Sequence, residues 1–391
     1  MTEKKSFVAD KIKKIPYSGI RKFFDVAKEI EGVISLGVGE PDFETPWAIR
    51  ERAIYNLEKG RTVYTSNAGL MELREELSRY FERKINVKYN PKNQIIVTVG
   101  ASEGIDIALR AVVNPKDEVL LPQPSYVSYK PCIEMAGGVP VIITTKVEND
   151  FRLTPDELLD KITDKTKALI LPYPNNPTGA IMERNDLEKI AEVLKDRDIV
   201  VISDEIYAEL TYGDRTHVSI ASIDGMYDKT IVLNGFSKAY SMTGWRVGYA
   251  AGPEDIISAM TKIHQYIIMC ASTTGQYAAL EALKSCDVSV AAMRKEYDAR
   301  RRFMLKGFRD MGLECFEALG AFYLFPCIKC TGMSSDEFCE RLLNEQKVAV
   351  VPGTALGESG EGFIRCSYAY SIDDINKALI HIEKFVKKYR K

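Results

Sequence analysis

The feature that most constrains the fold is a series of short apolar runs that alternate with amphipathic segments between Asn93 and Pro253. Most runs are nearly continuous in apolar residues, which is typical of strands covered on both faces. The runs are QIIVTVG, DEVLLP, VPVIITT, KALILPYP, DIVVISD, TIVLN and RVGYAA. Because helix-like segments lie between several of them, the sequence predicts an α/β fold with a mainly parallel sheet covered by helices.

The pattern changes after Gly252, where longer helical segments are combined with the strand-like runs GAFYLFP, VAVVPG and GFIRCSY. A chain of 391 residues exceeds one ordinary domain. We therefore predict a large domain over residues 46–280. A smaller α+β domain is expected from residues 281–391, joined by the N-terminal arm 1–45.

Charge, apolar run length and cysteine spacing indicate which partners and which compartment to expect. With 53 basic and 55 acidic residues, the chain has no excess of charge that would attract nucleic acid or a membrane surface. No apolar run reaches the length of about eighteen residues that a membrane-spanning helix needs, and the charged start MTEKKSFVADKIKK does not resemble a signal peptide. The eight cysteines are scattered, which favours a reducing cytoplasm.

One lysine stands where a parallel sheet binds ligands. Lys238 follows the run TIVLN and a turn of small residues, in the segment NGFSKAYSMTGWRVG. Strand ends of this kind face the ligand crevice. Small and apolar neighbours would desolvate the amine and favour its neutral, nucleophilic form, which imine chemistry requires. Taken alone, an ordinary loop lysine explains the segment equally well.

Three further turns place polar groups after apolar runs. In VISDEIY, Asp204 ends a run, and a buried carboxylate there needs a partner such as a protonated ring nitrogen. In PNNPTG, the turn presents the side-chain amide of Asn176. In VGASEG, small residues let backbone N–H groups approach an anion at a helix N-terminus. Each turn by itself is more simply an ordinary turn or cap, so it is their combination that predicts a site.

The order and spacing of these four segments resemble the class I aminotransferases of fold type I, which use pyridoxal 5′-phosphate (PLP). The resemblance covers nearly the whole chain and is strongest to the bacterial and archaeal branch that includes aspartate and aromatic-amino-acid aminotransferases. It implies transfer of the amino group of an L-α-amino acid, aromatic or aspartate, to 2-oxoglutarate by a ping-pong mechanism. It also implies a homodimer with shared active sites and a role in amino acid metabolism and biosynthesis.

The resemblance implies catalytic roles for three residues. Lys238 matches the lysine that forms the Schiff base with PLP and moves the proton of the substrate. Asp204 matches the acid that pairs with the pyridine nitrogen. Tyr207 matches one of two groups that hydrogen-bond the O3′ oxygen of PLP, and Asn176 matches the other.

The resemblance also implies a set of phosphate contacts. Ser237 and Arg246 match phosphate ligands, and Ala101 and Ser102 would add donors at a helix N-terminus. Tyr64, in TVYTSNAGL, is similar to the tyrosine that reaches the phosphate of the neighbouring subunit.

The remaining implied contacts concern the ring face and the substrate. Tyr126, in PQPSYVSY, looks like the aromatic residue that stacks on the ring, and Arg365, in GFIRCSY, matches the arginine that binds the α-carboxylate. Gly39 would add a backbone contact to that carboxylate, beside Asn176. One position departs from some relatives, which have serine or threonine where this chain has Gly235.

The side-chain specificity stays open. A dicarboxylate would need a second cation, for which Arg21 in SGIRKFF is a candidate, although a structural role fits it better. The neighbourhood of Tyr126 and Phe322 would tolerate an aromatic substrate.

Other classes of function fit less well. The segment GVGEPD fails as a dinucleotide fingerprint because of Pro41 and the final acid, and the CxxC pair Cys327 and Cys330 lacks the further ligands of a zinc site. Three dispersed histidines do not suggest a metal site. A PLP-dependent cysteine-S-conjugate β-lyase of the same fold is the main alternative. A PLP-sensing transcription regulator is not expected, because the first family segment begins near residue 34 and leaves no room for a DNA-binding domain.

Overall fold

The computed structural model of the protein describes residues 6–17, 19 and 30–390. We number its strands in chain order. They are β1 (Ile34–Ser35), β2 (Ile95–Thr98), β3 (Glu118–Gln123), β4 (Val139–Thr144), β5 (Thr166–Leu171), β6 (Val200–Asp204), β7 (Thr230–Gly235), β8 (Gly248–Ala251), β9 (Tyr323–Leu324), β10 (Val348–Ala349), β11 (Val351–Pro352) and β12 (Ile364–Ser367).

A seven-stranded sheet with the strand order β2-β8-β7-β6-β5-β3-β4 forms the centre of the molecule. Strands β3 to β7 pair in parallel, whereas β8 is antiparallel to both of its neighbours. Each of the seven apolar runs between Asn93 and Pro253 forms one of these strands. The predicted α/β fold with a mainly parallel sheet is therefore confirmed, with β8 as the one reversed strand in this sheet.

Helices cover both faces of this sheet. The α-helices of the described residues are Asp10–Lys13, Trp47–Glu58, Met71–Ile85, Gly100–Val112, Tyr129–Ala136, Pro155–Leu159, Arg184–Leu194, Glu254–Ile267, Thr273–Ser285, Asp287–Asp310, Ser335–Gln346 and Ile372–Tyr389. Within the described ranges, none of these helices is both long and apolar enough to cross a membrane.

Alternate strand residues pack on opposite helix layers because successive side chains of a strand point to opposite faces. Ile202 and Leu233 pack in the cluster that contains helices Gly100–Val112 and Glu254–Ile267. Val201 instead packs against helix Arg184–Leu194. Burial on both faces explains why these strands read as continuous apolar runs.

Two smaller sheets are built mainly from the C-terminal part of the chain. Strand β1 pairs in parallel with β10, and β11, β12 and β9 form an antiparallel sheet. Strands β9, β10 and β12 contribute to a separate apolar cluster that includes residues of helices Asp287–Asp310, Ser335–Gln346 and Ile372–Tyr389. Val351 of β11 instead packs in the cluster that contains helix Arg184–Leu194. The run VAVVPG was expected to behave as one strand, but its two halves join different sheets.

The boundary between the two predicted domains is not marked by a break in the structure. Helix Thr273–Ser285 runs through residue 280. Helix Asp287–Asp310 contributes Val290 and Met293 to a cluster against the large sheet and its later residues to the C-terminal cluster. The division at residue 280 stays a prediction.

Candidate active site

The segments that follow the carboxyl ends of β5, β6 and β7 meet at a cavity of about 610 Å³. Because these strands are parallel and adjacent, polar residues that follow them are brought to one edge of the sheet. The predicted site residues that line the cavity are Gly39, Ala101, Ser102, Tyr126, Asn176, Asp204, Tyr207, Ser237, Lys238, Arg246 and Arg365. Tyr64 does not line it, and the residue is 75% exposed on the surface of the chain.

Lys238 lies just beyond β7 and directs its amine into the cavity, where Nζ donates to the carbonyl oxygen of Gly39 over 2.6 Å. Burial lowers the pKa of Lys238 to about 8, against a smaller opposing effect of the Glu40 carboxylate. The lowered pKa increases the fraction of neutral, nucleophilic amine near neutral pH.

Gly235 lies where β7 and β8 approach each other closely. A Cβ at Gly235 would lie 3.1 Å from the Cα of Gly248 and from the carbonyl oxygen of Val247. Strands β7 and β8 therefore approach too closely here for a hydroxyl-bearing side chain without a shift of the backbone.

Asp204 is the last residue of β6 and is only 4% exposed. Burial raises the pKa of Asp204 to about 6, while hydrogen bonds from Tyr129 and from the amide of Ile206 oppose that rise. A cation held against the free side of the carboxylate would favour its ionised form. The site is therefore suited to a protonated ring nitrogen.

Tyr207 extends the same wall from the turn after β6. Its hydroxyl lies 3.0 Å from the hydroxyl of Tyr323, and burial raises the pKa of Tyr207 well above its usual value. Tyr207 therefore keeps its proton and can donate it to an acceptor.

Arg365, on β12, also lines the cavity and is 2% exposed. Its Nη1 donates to Oδ1 of Asn176 over 2.9 Å, and its Nη2 donates to the carbonyl oxygen of Gly37 over 2.6 Å. Its Nε is buried and has no hydrogen-bond partner among the described residues. An arginine with unused N–H groups at a cavity wall is suited to a carboxylate.

An anion-binding corner lies where helix Gly100–Val112 begins. Gly100 has a φ of +73°, and a Cβ there would lie 2.7 Å from Nη2 of Arg246. The absence of a side chain lets the guanidinium approach the free N–H groups at Ala101 and Ser102. Helix N-termini and guanidinium groups both stabilise phosphate.

The described side chains fit PLP, the cofactor that the resemblance implies. The cavity combines an acid for the ring nitrogen, a lysine for the aldehyde carbon and an anion corner for the phosphate, represented by Asp204, Lys238 and Arg246. Gly100 supports this fit independently, since its positive φ and missing Cβ keep the phosphate corner open.

Two tyrosines of the site were missed in the sequence. Tyr129 donates to Oδ2 of Asp204, and its signal was its position three residues after Tyr126, at the start of helix Tyr129–Ala136. Tyr323 lines the cavity, whereas the expectation had pointed to Phe322. Phe322 does not line the cavity, but its buried ring packs edge-on against Tyr207 and lies 5.7 Å from Nζ of Lys238.

Other expectations from the sequence concern residues away from the cavity. Arg21, the candidate second cation, lies outside the described residues. Across the described part of the chain, no group of three or more His, Cys, Asp or Glu side chains is arranged to hold a metal ion.

Comparison with known proteins agrees with this geometry. The family model described as aminotransferase class I and II matches residues 31–382. An aromatic-amino-acid aminotransferase of Thermococcus litoralis is 45% identical, and an aspartate aminotransferase of Pyrococcus abyssi is 46% identical; each alignment covers 97% of this chain and 98% of the relative. The crystal structure of an aromatic aminotransferase from Pyrococcus horikoshii superposes with a TM-score of 0.90 at 45% identity, covering 94% of this chain and 99% of that one.

The match spans most of the chain and both small sheets as well as the large one. The relatives are full-length matches rather than matches to a single segment. Aminotransferases of this kind depend on PLP. The chain therefore belongs to the class I and II aminotransferase family.

Proposed function

We propose that the protein moves the amino group of an L-α-amino acid, aromatic or aspartate, to 2-oxoglutarate by a ping-pong mechanism. The observation that carries the proposal is the position of Arg365, whose Nη1 and Nη2 each keep a second N–H group, in the wall of the same cavity as Lys238 and Asp204. Arg365 can hold the α-carboxylate of the substrate while Lys238 reaches the proton on its Cα. The choice of donors is supported by the names of the Thermococcus and Pyrococcus relatives.

The chain's own residues divide the chemistry between them. When bound, PLP supplies an electron sink that stabilises the negative charge that develops on the substrate Cα. Arg365 binds the α-carboxylate and fixes the plane of the substrate, while Asp204 keeps a proton on the ring nitrogen. Nζ of Lys238 removes the proton from the substrate Cα and, as a general acid, would deliver it to the C4′ carbon of the bound cofactor. The keto acid product leaves before the second keto acid binds, which gives ping-pong kinetics.

Other residues of the cavity would hold the phosphate and the ring of PLP. We assign the phosphate to Ser237, Arg246 and the N–H groups at Ala101 and Ser102. Tyr126 would stack on the ring. Tyr207 and Asn176 would hold the O3′ oxygen, and the backbone at Gly39 would contact the substrate carboxylate.

A homodimer is part of the proposal because one surface of the chain is apolar and exposed. Val63 and Tyr64 are each 75% exposed, and Tyr266 is 84% exposed. The two segments are in contact, since the hydroxyl of Thr273 donates to the carbonyl oxygen of Val63 and the amide of Asn67 donates to that of Met269. Large apolar side chains exposed on contacting segments are typical of an interface. We infer that a second copy covers it and that Tyr64 reaches the phosphate of that copy.

We also propose the division into a domain of residues 46–280 and a domain of residues 1–45 and 281–391. A cytoplasmic role in amino-acid biosynthesis belongs to the same proposal. The eight cysteines are free thiols, which agrees with a reducing compartment.

The test is a spectrum of the PLP-loaded protein before and after single amino acids are added without a keto acid. A visible Schiff-base band that converts to the spectrum of pyridoxamine phosphate is expected, and the amino acids that convert it fastest identify the donor class. The Lys238→Ala variant should lack the band and nearly all turnover. Lys306→Ala, which changes an exposed lysine of helix Asp287–Asp310, should keep both.

Two results would contradict the proposal. Release of ammonia and pyruvate while the visible band persists would indicate the β-lyase alternative, which the comparisons do not support. Failure of the wild-type protein to form a visible band with added PLP would contradict the cofactor site itself.

A further inference from the structure

Tyr323 contacts both Tyr207, which we assign to the cofactor, and Arg365, which we assign to the substrate carboxylate. It lies on β9, where it pairs with Ser367 of β12, two residues beyond Arg365. The side chain is buried and lines the cavity. Its hydroxyl is 3.0 Å from the hydroxyl of Tyr207, and the guanidinium carbon of Arg365 is 4.5 Å from its ring centroid.

The direction of the hydrogen bond between the two tyrosines depends on where Tyr207 donates its own proton. A phenol has one O–H donor, and neither Tyr323 nor Tyr207 has another hydrogen-bond partner among the described residues. If Tyr207 donates its proton to O3′ of PLP, its oxygen must accept the proton of Tyr323. A hydrogen bond accepted by Tyr207 polarises its O–H group and makes it a stronger donor.

The ring of Tyr323 acts on the other partner. Arg365 already uses Nη1 and Nη2 for Asn176 and Gly37, and the aromatic face attracts and supports the guanidinium group. These three contacts limit the rotation of the guanidinium plane. The second N–H groups of Nη1 and Nη2 are therefore held in a fixed orientation for a carboxylate.

Gly39 leaves the space that this arrangement needs. A Cβ at Gly39 would lie only 2.4 Å from the hydroxyl oxygen of Tyr323. Any larger residue at position 39 would displace the hydroxyl or the backbone, so the glycine has a packing role besides its carbonyl contact with Lys238.

We propose that Tyr323 is a positioning residue for transamination, whose hydroxyl directs the Tyr207 proton toward the cofactor oxygen and whose ring holds the plane of Arg365. The inference rests on the proposed function, because that function supplies the acceptor for Tyr207. The hydroxyl and the ring are separable by substitution, since phenylalanine removes the first and keeps the second.

The hydroxyl is tested with Tyr323→Phe in the PLP-loaded protein, by titrating the visible absorbance of the Schiff base with pH. A weaker Tyr207 donor stabilises the charge on O3′ less and makes the Schiff-base proton harder to lose, so the midpoint should rise by about 0.5 to 1 pH unit. Tyr368→Phe is the matched control: Tyr368 is equally buried, but its hydroxyl donates to the carbonyl oxygen of Ala321. Its midpoint should equal that of the wild type.

The ring is tested by the affinity of an α-methyl amino acid, which has an α-carboxylate but no Cα proton to lose. Tyr323→Phe should bind it within about twofold of the wild type, whereas Tyr323→Leu should bind it about three- to tenfold more weakly.

The outcomes separate the inference from the proposed function. A Tyr323→Phe midpoint equal to that of the wild type and of Tyr368→Phe would overturn the role of the hydroxyl, even if the protein transaminates normally. Equal analogue affinity in a folded Tyr323→Leu variant would overturn the role of the ring, and loss of affinity in Tyr323→Phe would do the same. A wild-type protein without any titrating band would overturn the cofactor site and this inference with it.

Discussion

The hydroxyl of Tyr129 donates to Oδ2 of Asp204 over 2.7 Å, while the amide of Ile206 donates to Oδ1 over 3.1 Å. Both donors stabilise the ionised carboxylate, whose burial otherwise raises its pKa. The two bonds also hold the carboxylate in one orientation. Tyr129 therefore supports both the charge and the position of the group that we assign to the ring nitrogen.

Replacing Tyr129 with phenylalanine should weaken PLP binding. Without the hydroxyl, the pKa of Asp204 rises further and its ion pair with the ring nitrogen becomes weaker. A hydrogen bond to a charged group contributes about 1.5–3 kcal/mol, so the dissociation constant of PLP should rise roughly ten- to a hundredfold. The measurement is fluorescence titration of the protein freed of PLP. Tyr173→Phe is the control, because Tyr173 is also buried but its hydroxyl donates to the carbonyl oxygen of Phe151; equal affinities of the two variants would contradict the role of Tyr129.

Asp204 should make the stability of the PLP-free protein depend on pH. Its pKa of about 6 lies above the ordinary value of 3.8, so between these values the folded chain binds more protons than the unfolded chain. The free energy of unfolding therefore falls as pH rises from about 4 to 6. Asp204→Asn should remove this loss and be more stable than the wild type by roughly 1–3 kcal/mol at pH 7, but not at pH 4.

Urea unfolding of both PLP-free proteins at the two pH values measures this difference. With PLP bound, the order should reverse, because asparagine cannot pair with a protonated ring nitrogen. If the free energy of unfolding of the wild type and of Asp204→Asn depends on pH in the same way, burial does not destabilise the ionised Asp204 carboxylate in the folded chain.

Arg365→Lys should lower kcat/KM about a hundredfold and should weaken PLP binding far less than that. Lysine keeps the positive charge but cannot hold a carboxylate through two N–H groups, and each lost charged hydrogen bond weakens the bound state. The effect should fall largely on KM, because the carboxylate is bound before and during the reaction. Steady-state rates at several amino-acid concentrations, together with a PLP titration, provide the measurement. An unchanged KM would place the carboxylate elsewhere in the cavity.

Tyr64→Phe should loosen PLP without removing the Schiff-base band, by about tenfold in the dissociation constant. Tyr55→Phe is a suitable control, because Tyr55 is another exposed tyrosine, on helix Trp47–Glu58. A mixed dimer of Tyr64→Phe and Lys238→Ala chains tests whether the contact crosses the interface. If Tyr64 serves the other subunit, the site with the intact Lys238 receives an intact Tyr64 and regains tight PLP binding. If the mixed dimer binds PLP as weakly as Tyr64→Phe alone, the tyrosine does not act across the interface.

The sequence by itself determined the elements that depend on local pattern. The seven apolar runs became the strands of the large sheet because a strand buried on both faces must be apolar along its length. The polar turns after β5, β6 and β7 placed Asn176, Asp204 and Lys238 at one edge, since the carboxyl ends of adjacent parallel strands coincide. The sequence therefore predicted that these three residues lie together, which follows from strand order alone.

The tertiary structure alone decided which distant side chains touch. Tyr129 reaches Asp204, Tyr323 reaches Tyr207, and Arg365 lies against Asn176 although far apart along the chain. Likewise, the run VAVVPG divides between two sheets, a choice made by the partners β1 and β12. Local periodicity specifies the face on which a residue lies, but the direction of a hydroxyl or a guanidinium group depends on packing between segments that only the complete fold brings together.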